Sequence, residues 1–119
     1  MTERHVYDFN SWLGLRLAAD GETVELLAQA PVHQIGDGMV HLGVITTLGE
    51  VAAAHAAGVA VVPTAVTANF LRPAPIGPLQ AKGRVLSKGR RLCTAEGLVE
   101  AGGKLVAKVT VTFVVVNPA

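Results

Sequence analysis

The chain has 119 residues, of which 50% are hydrophobic and only 16% are charged, and its formal net charge is +1. This length fits a single domain over residues 1–119 that buries a core without disulfides or metal. The near-neutral charge argues against nucleic acid as a partner. No segment is long and apolar enough to suggest a membrane partner.

Further sequence features indicate the cellular compartment of the protein and a contact with another protein chain. The polar N-terminus lacks the apolar stretch of a signal peptide, and Cys93 has no second cysteine to pair with. Both favour a reducing, cytoplasmic compartment. The apolar fraction is high for a small monomer, so we expect part of the surface to lie against another protein chain.

The pattern of residues predicts the secondary structure in chain order. A short helix over residues 7–13 would seat Trp12 and Leu13, and Asp20-Gly21 reads as a turn. Residues 42–57 favour a long helix, because alanine is abundant and Gly58 stands where a C-cap glycine belongs. Alternating or β-branched residues predict strands at 23–30, 61–71, 79–87, 92–101 and 104–116.

This order predicts an α+β fold. A sheet must cover its apolar face, and only one helix is long enough to do so. That helix is apolar nearly all round, as suits a helix wrapped by a curved sheet. We therefore expect an antiparallel sheet of five to six strands around one long central helix.

Glu50 is the only Asp, Glu, Lys or Arg among residues 38–71. Helical spacing places it on a stripe with Gly43, Thr47, Ala54 and Ala57, whose small side chains leave room around it. Burial would raise the pKa of Glu50, which suits a base or a proton donor. The alternative is a carboxylate in solvent or paired with an arginine, and the residue pattern leaves both interpretations open.

The start of the long helix is a second candidate for chemistry. His41 stands where a helix N-cap belongs, and we interpret its side chain as a cap or a packed histidine. The backbone N–H groups of Leu42 and Gly43 fall in the first turn, where amides lack helical partners. With the helix dipole, such amides can stabilise a developing oxyanion.

These motifs together resemble a known family. Gly38, His41, Gly43 and Glu50 are followed by ANFLRPAPIG at residues 68–77 and by Gly89-Arg90. The ordered set resembles the hotdog-fold acyl-CoA thioesterases of the PaaI-like and 4-hydroxybenzoyl-CoA thioesterase groups, over about residues 12–116. The spacing of nine from His41 to Glu50 equals the spacing in that family.

The resemblance implies a homodimer with a continuous sheet, which often pairs into a homotetramer, and an active site at the dimer interface. Glu50 matches the catalytic acidic residue, acting as nucleophile or general base. The Leu42 amide matches the donor that polarises the thioester carbonyl. No metal or redox cofactor is implied, and coenzyme A is part of the substrate.

Two positions depart from the family pattern. Ile35 stands where the family usually has Asn or Gln to orient the substrate or water, and Leu42 stands where it usually has Gly. Gln34, next to Ile35, is the substitute candidate for orienting the substrate.

Substrate-binding candidates surround these groups. Thr47 shares the stripe of Glu50. A cationic set would suit the phosphates of coenzyme A, although an ordinary solvated turn is the alternative for each member. Its members, with the glycine between them, are Arg72, Lys88, Gly89, Arg90 and Arg91.

The remaining histidines and the cysteine receive structural interpretations. His55 is interpreted as packed or at an interface rather than as a base, and Cys93 as a buried thiol rather than a nucleophile. His33 is interpreted as a solvent-exposed loop residue, with a place lining the site as the alternative. The four histidines form no metal-ligand pattern with Cys93.

We therefore expect an acyl-CoA thioesterase that hydrolyses a CoA thioester to the free acid and CoA. One alternative is a non-catalytic protein of the same fold that binds acyl-CoA or a small ligand, which Ile35 and Leu42 favour. Another is a hydratase of enoyl thioesters, whose Asp/His pair is not found in the sequence.

Overall fold

The structure of the protein is a computed structural model that describes residues 8–30 and 32–116. Within these residues it contains two helices and eight strands. In chain order they are α1 (Phe9–Leu13), β1 (Arg16–Leu17), β2 (Val24–Ala28), β3 (Gln34–Gly36), β4 (Met39–Val40), α2 (Leu42–Ala57), β5 (Val61–Phe70), β6 (Gly77–Lys88), β7 (Leu92–Ala101) and β8 (Lys104–Val115).

The strands form one six-stranded antiparallel sheet in the order β1-β2-β6-β7-β8-β5, with β3 and β4 as a separate small hairpin. The α2 helix packs on this sheet, chiefly against β6, β7 and β8. The α+β prediction of five to six strands around one long helix is confirmed. The hairpin β3–β4 stands directly before α2 and brings the chain to the start of the helix.

The helix α2 spans the predicted residues, and the predicted cap at Gly58 is confirmed by its left-handed conformation, with φ of 71°. Its buried side carries the apolar residues Val44, Ile45 and Leu48. They face a strand surface that includes Val109, Val111 and Phe113, each 0% exposed. These residues of the last strand therefore form the centre of the core.

The helix lies unusually close to the sheet at Gly97. A Cβ atom added there would lie 2.0 Å from the carbonyl oxygen of Gly49. An equivalent atom on Gly83 would lie 2.0 Å from the carbonyl oxygen of Ala52. Only glycine fits at these two strand positions, and they fix the distance between α2 and the middle of the sheet.

The N-terminal prediction needs one correction. Leu13 is buried, but Trp12 is 66% exposed and is not seated in the core. A helix of one and a half turns offers only one side to the sheet, and Leu13 occupies that side. Tyr7, the first residue of the predicted helix, lies outside the described residues.

No helix among residues 8–30 and 32–116 has the length and apolar character needed to span a membrane.

Candidate functional site

The first turn of α2 is capped by the side chain of His41. Its backbone is extended, with φ of −64° and ψ of 138°, and its Nδ1 atom accepts a hydrogen bond from the Gly43 N–H at 2.8 Å. The N-cap interpretation of this histidine is confirmed. Since Nδ1 accepts, it carries no proton in this arrangement.

The two candidate amides of the first turn are therefore not equivalent. The Gly43 N–H is occupied by the cap. The Leu42 N–H forms no hydrogen bond with any part of the chain that the structure describes. With the positive end of the helix dipole behind it, the Leu42 amide is the donor that remains available to a carbonyl oxygen.

Glu50 lies half-buried on the side of α2 turned away from the sheet. Gly43, Thr47 and Ala54 on the same stripe are also only partly buried, whereas Ala57 at its end is buried. Burial raises the pKa of the Glu50 carboxyl group. In residues 8–30 and 32–116 its carboxylate has neither a hydrogen bond nor an ion pair, so no arginine there neutralises it.

Two hydroxyl groups flank Glu50 on the helix. The Thr46 Oγ1–H donates to the Leu42 carbonyl oxygen and the Thr47 Oγ1–H donates to the Gly43 carbonyl oxygen, each at 2.8 Å. Both hydroxyl hydrogens are used within the helix. Each oxygen can still accept a hydrogen bond, so Thr47 can orient a donor such as water beside Glu50.

Gln34 and Ile35 lie in β3, just before the helix. Gln34 pairs with Val40, is half-buried, and has no side-chain hydrogen bond to the described residues. Ile35 is 65% exposed. Gln34 is thus the polar side chain of β3 that is near the start of α2 and still has unused donors and an acceptor.

The cationic candidates lie at two ends of the molecule. Leu71, beside Arg72, bonds to Val106 on β8, whereas Leu92, after the turn that carries Arg90, pairs with Val114. These points on β8 are eight residues apart, or about 26 Å along a strand. The structure therefore does not bring Arg72 together with Lys88, Gly89, Arg90 and Arg91 within one chain.

Lys88 also has a structural contact. Its Nζ–H donates to the carbonyl oxygen of Ala57 at 2.8 Å and so caps the C-terminal end of α2. A cation at this end complements the helix dipole. Arg90 and Arg91 are exposed in the adjoining turn.

The burial of His33 and of Glu96 is not among the sequence predictions. His33 is only 6% exposed, so its interpretation as a solvent-exposed loop residue is wrong. Glu96 is 1% exposed in the middle of the sheet, where it is paired with Arg84 and, at 3.4 Å, with Lys108. Neither burial has a local sequence signal, because Leu13 beside His33, and Arg84 and Lys108 beside Glu96, come from distant parts of the sequence.

The other two structural interpretations concern His55 and Cys93. His55 is exposed and its Nε2 lies 2.8 Å from the Gly21 carbonyl oxygen, so it is not packed in the core of one chain, and a place at an interface stays a prediction. Cys93 is 1% exposed, and the buried thiol is confirmed. Among the described residues, no three His, Cys, Asp or Glu side chains are grouped to hold a metal ion.

An open cleft of about 860 Å³ lies at the edge of the sheet. Its lining includes Trp12, Arg16, Leu27 and Gln80. Neither Leu42 nor Glu50 lines this cleft. Leu42 is 53% exposed and Glu50 is half-buried, so both groups lie outside this cleft and can be reached from the surface of the chain.

Comparisons with known proteins agree with this architecture. A family model described as the acyl-CoA thioesterase N-terminal domain matches residues 28–114. No curated protein sequence matches the chain.

Several solved structures are similar over nearly the whole chain. A mutant form of the phenylacetic acid degradation protein PaaI from Thermus thermophilus is 30% identical, with 91% of this chain and 98% of that chain covered and a TM-score of 0.80. A phenylacetic acid degradation-related protein from Ralstonia eutropha is 26% identical, with 89% and 88% covered and a TM-score of 0.76. A thioesterase from Haemophilus influenzae, 23% identical, covers 97% and 87% at a TM-score of 0.81 and shows the shared fold.

The family match covers well over half of the chain, and the sheet, the long helix and the capped helix start agree with it. The chain therefore belongs to the acyl-CoA thioesterase domain family of the hotdog superfamily, with PaaI-like structural neighbours.

Proposed function

We propose that this protein hydrolyses acyl-CoA thioesters to the free acid and coenzyme A, with Glu50 as its catalytic carboxylate. The observation that carries the proposal is a half-buried, unpaired carboxylate on the helix whose first amide is open. The Leu42 N–H would bind the thioester oxygen, whose negative charge grows as the carbonyl carbon is attacked.

Helix geometry favours a site shared between two chains. Leu42 and Glu50 are eight residues apart on α2, or about 12 Å along the helix axis. That separation is longer than a Glu side chain spans, so the Leu42 amide and the Glu50 carboxylate of one chain do not meet at one carbonyl group. We assign the site to the Leu42 amide of one protomer and Glu50 of the partner subunit.

Two routes lead to the same products. As a general base, Glu50 takes a proton from water, the water oxygen bonds to the carbonyl carbon, and the C–S bond breaks to release the CoA thiolate. As a nucleophile, a Glu50 oxygen displaces the thiolate to form a mixed anhydride, which water then hydrolyses to the free acid and regenerated Glu50. Neither route requires a metal or a redox cofactor, and the coenzyme A belongs to the substrate.

Binding of coenzyme A is assigned to both ends of the protomer. Arg72 lies at the end of the sheet where α2 begins, since Ala74 bonds to Val40 just before the helix. Arg90 and Arg91 lie at the other end, beside the cap formed by Lys88. In a site shared by two chains, the cations at either end of the second chain can bind the phosphates of coenzyme A.

A test against a panel of acyl-CoA thioesters decides the function. The proposal is supported if the wild type releases the free thiol of coenzyme A from a thioester and Glu50→Gln does not. The alternative is a binding protein without turnover, which the exposed Ile35 and the Leu42 side chain at the carbonyl-binding amide favour. Saturable acyl-CoA binding with no thiol release would establish that alternative.

The pH dependence of hydrolysis follows from the burial of Glu50. The carboxylate must be ionised to act as a base or nucleophile, and burial raises its pKa. We expect kcat/KM to fall as the pH falls, with a midpoint above the ordinary glutamate value of about 4.3. An acid limb at or below that value, measured on a stable acyl-CoA substrate, would contradict the assignment.

We expect the protein to form a dimer through the edge strand β5. Among the strands that the structure describes it pairs with β8 alone, and its side chains Val62, Val66 and Phe70 are 52%, 44% and 43% exposed. Such an edge invites a second strand, and pairing two copies would make one continuous sheet. Dimers can pair further into a homotetramer.

Sedimentation at micromolar concentration checks this prediction. The wild type should be a dimer or larger, and Val66→Lys should shift it toward monomer because a lysine blocks the edge. Val114→Lys, on the neighbouring strand β8, is the control and should remain at least dimeric. A monodisperse wild-type monomer would refute the shared site.

A further inference from the structure

The ring of His33 connects its own loop to the end of β2 nearby and to the more distant end of α1. Its Nδ1 atom accepts a hydrogen bond from the Gln29 N–H at 2.9 Å, just after β2. Its Nε2 atom lies 2.8 Å from the carbonyl oxygen of Leu13, at the end of α1. The side chain is only 6% exposed, so water does not readily replace either bond.

These two contacts define the state of the ring. A backbone N–H can only donate, so Nδ1 must be unprotonated. A carbonyl oxygen can only accept, so Nε2 must carry the hydrogen. His33 is therefore a neutral imidazole in the Nε2–H form, and each ring nitrogen faces the one kind of group it can bond.

The backbone of His33 extends this connection to the start of α2. The His33 N–H donates to the Gln29 carbonyl oxygen at 2.9 Å, and the His33 carbonyl oxygen accepts from the His41 N–H at 2.8 Å. His41 then caps α2 through the Gly43 N–H at 2.8 Å. The Leu42 amide lies between His41 and Gly43, within this chain of bonds.

We infer that His33 is a positioning residue, whose neutral ring locks the ends of α1 and β2 together and so fixes, through His41, the direction of the Leu42 amide. Its effect on catalysis rests on the proposed function. The role of a fixed amide is to meet the oxygen of the transition state, so its loss should lower kcat more than it raises KM.

The test uses the full-length wild type and three variants. His33→Phe fills the space without hydrogen bonding, and His33→Gln keeps a donor for Leu13 but cannot accept from Gln29 at the same time. His55→Gln is the matched control, because His55 also forms a 2.8 Å contact between Nε2 and a backbone carbonyl, but is exposed. Each protein is first checked for folding by thermal melting.

We expect His33→Phe to lower kcat about 10- to 100-fold with KM within about twofold, as for a misplaced catalytic group. His33→Gln should lose less, and His55→Gln should match the wild type. A folded His33→Phe or His33→Gln protein whose kcat equals that of His55→Gln would overturn the inference. A loss confined to thermal stability, with kcat per folded molecule unchanged, would overturn it equally.

Two measurements do not depend on activity. The ¹⁵N NMR spectrum of the wild-type ring should show Nε2 protonated and Nδ1 unprotonated, and the reverse would overturn the inference. Hydrogen exchange at the His41 and Gly43 amides should be faster in His33→Gln than in His55→Gln, and equal rates would overturn it. If the wild type hydrolyses no thioester, the proposed function fails, while these two measurements still decide whether His33 fixes the helix start.

Discussion

Glu50→Gln is expected to abolish nearly all hydrolysis while leaving thermal stability equal or higher. The amide keeps the shape of the side chain but supplies neither an attacking oxygen anion nor a base. The half-buried carboxylate has no ion pair in the described chain, so its charge is held in a poorly hydrated place at a cost in stability. Removing that charge relieves the cost.

The free energy of unfolding should also depend on pH through the raised pKa of Glu50. The pKa of Glu50 is higher in the folded protein than in the unfolded chain, so the folded state binds the proton more tightly. The contribution of Glu50 to the free energy of unfolding therefore falls as the pH rises between the unfolded and folded pKa values. In Glu50→Gln this part of the pH dependence should be absent.

Glu96→Gln provides the matched control for a buried carboxylate. Glu96 is paired with Arg84 and Lys108, so removing its charge should lower stability and leave hydrolysis per folded molecule unchanged. Glu50→Gln should show the opposite pattern. A Glu50→Gln protein with at least about a tenth of the wild-type kcat, a barrier change below about 1.4 kcal/mol, would refute the catalytic role.

The main elements of the fold could be predicted because their signals are local. Helix α2 and strand β7 match their predicted bounds, since the alanines before Gly58 and the turn residues before Leu92 are visible in a short window. The strands β1, β3 and β4 were missed. They have two or three residues each, too few to show a period of two.

The residues of the candidate site differ in the same way: some have a local sequence signal, and others depend on distant partners. Glu50 was visible because it stands alone among uncharged residues, and His41 because it stands at a helix start. The loop position of His33 favours solvent exposure on sequence alone, although its ring bonds to Leu13, 20 residues earlier. The burial of Glu96 depends on Arg84 and Lys108 from the two adjoining strands, a pairing set by sheet register.

Gly97→Ala is expected to cause a large loss of stability for the addition of a single methyl group. The added Cβ would lie 2.0 Å from the Gly49 carbonyl oxygen and 2.7 Å from its carbon, both backbone atoms that no side-chain rotation can move. Helix α2 would have to lift from β7, which loosens its contacts with the buried core. Overpacking of this kind costs about 1–3 kcal/mol, and occasionally more.

Thermal melting followed by circular dichroism measures the effect against Gly89→Ala. At Gly89 the added Cβ would be 3.5 Å from the Leu92 carbonyl oxygen, an ordinary contact, so that variant should stay within about 0.5 kcal/mol of the wild type. We expect Gly97→Ala to melt about 5–15 °C lower. Because Gly49 directly precedes Glu50, lifting the helix also moves the carboxylate, and hydrolysis should fall in the protein that remains folded. Equal melting temperatures for the two variants would mean that the close approach of α2 to β7 does not hold the helix, and with it Glu50, in place.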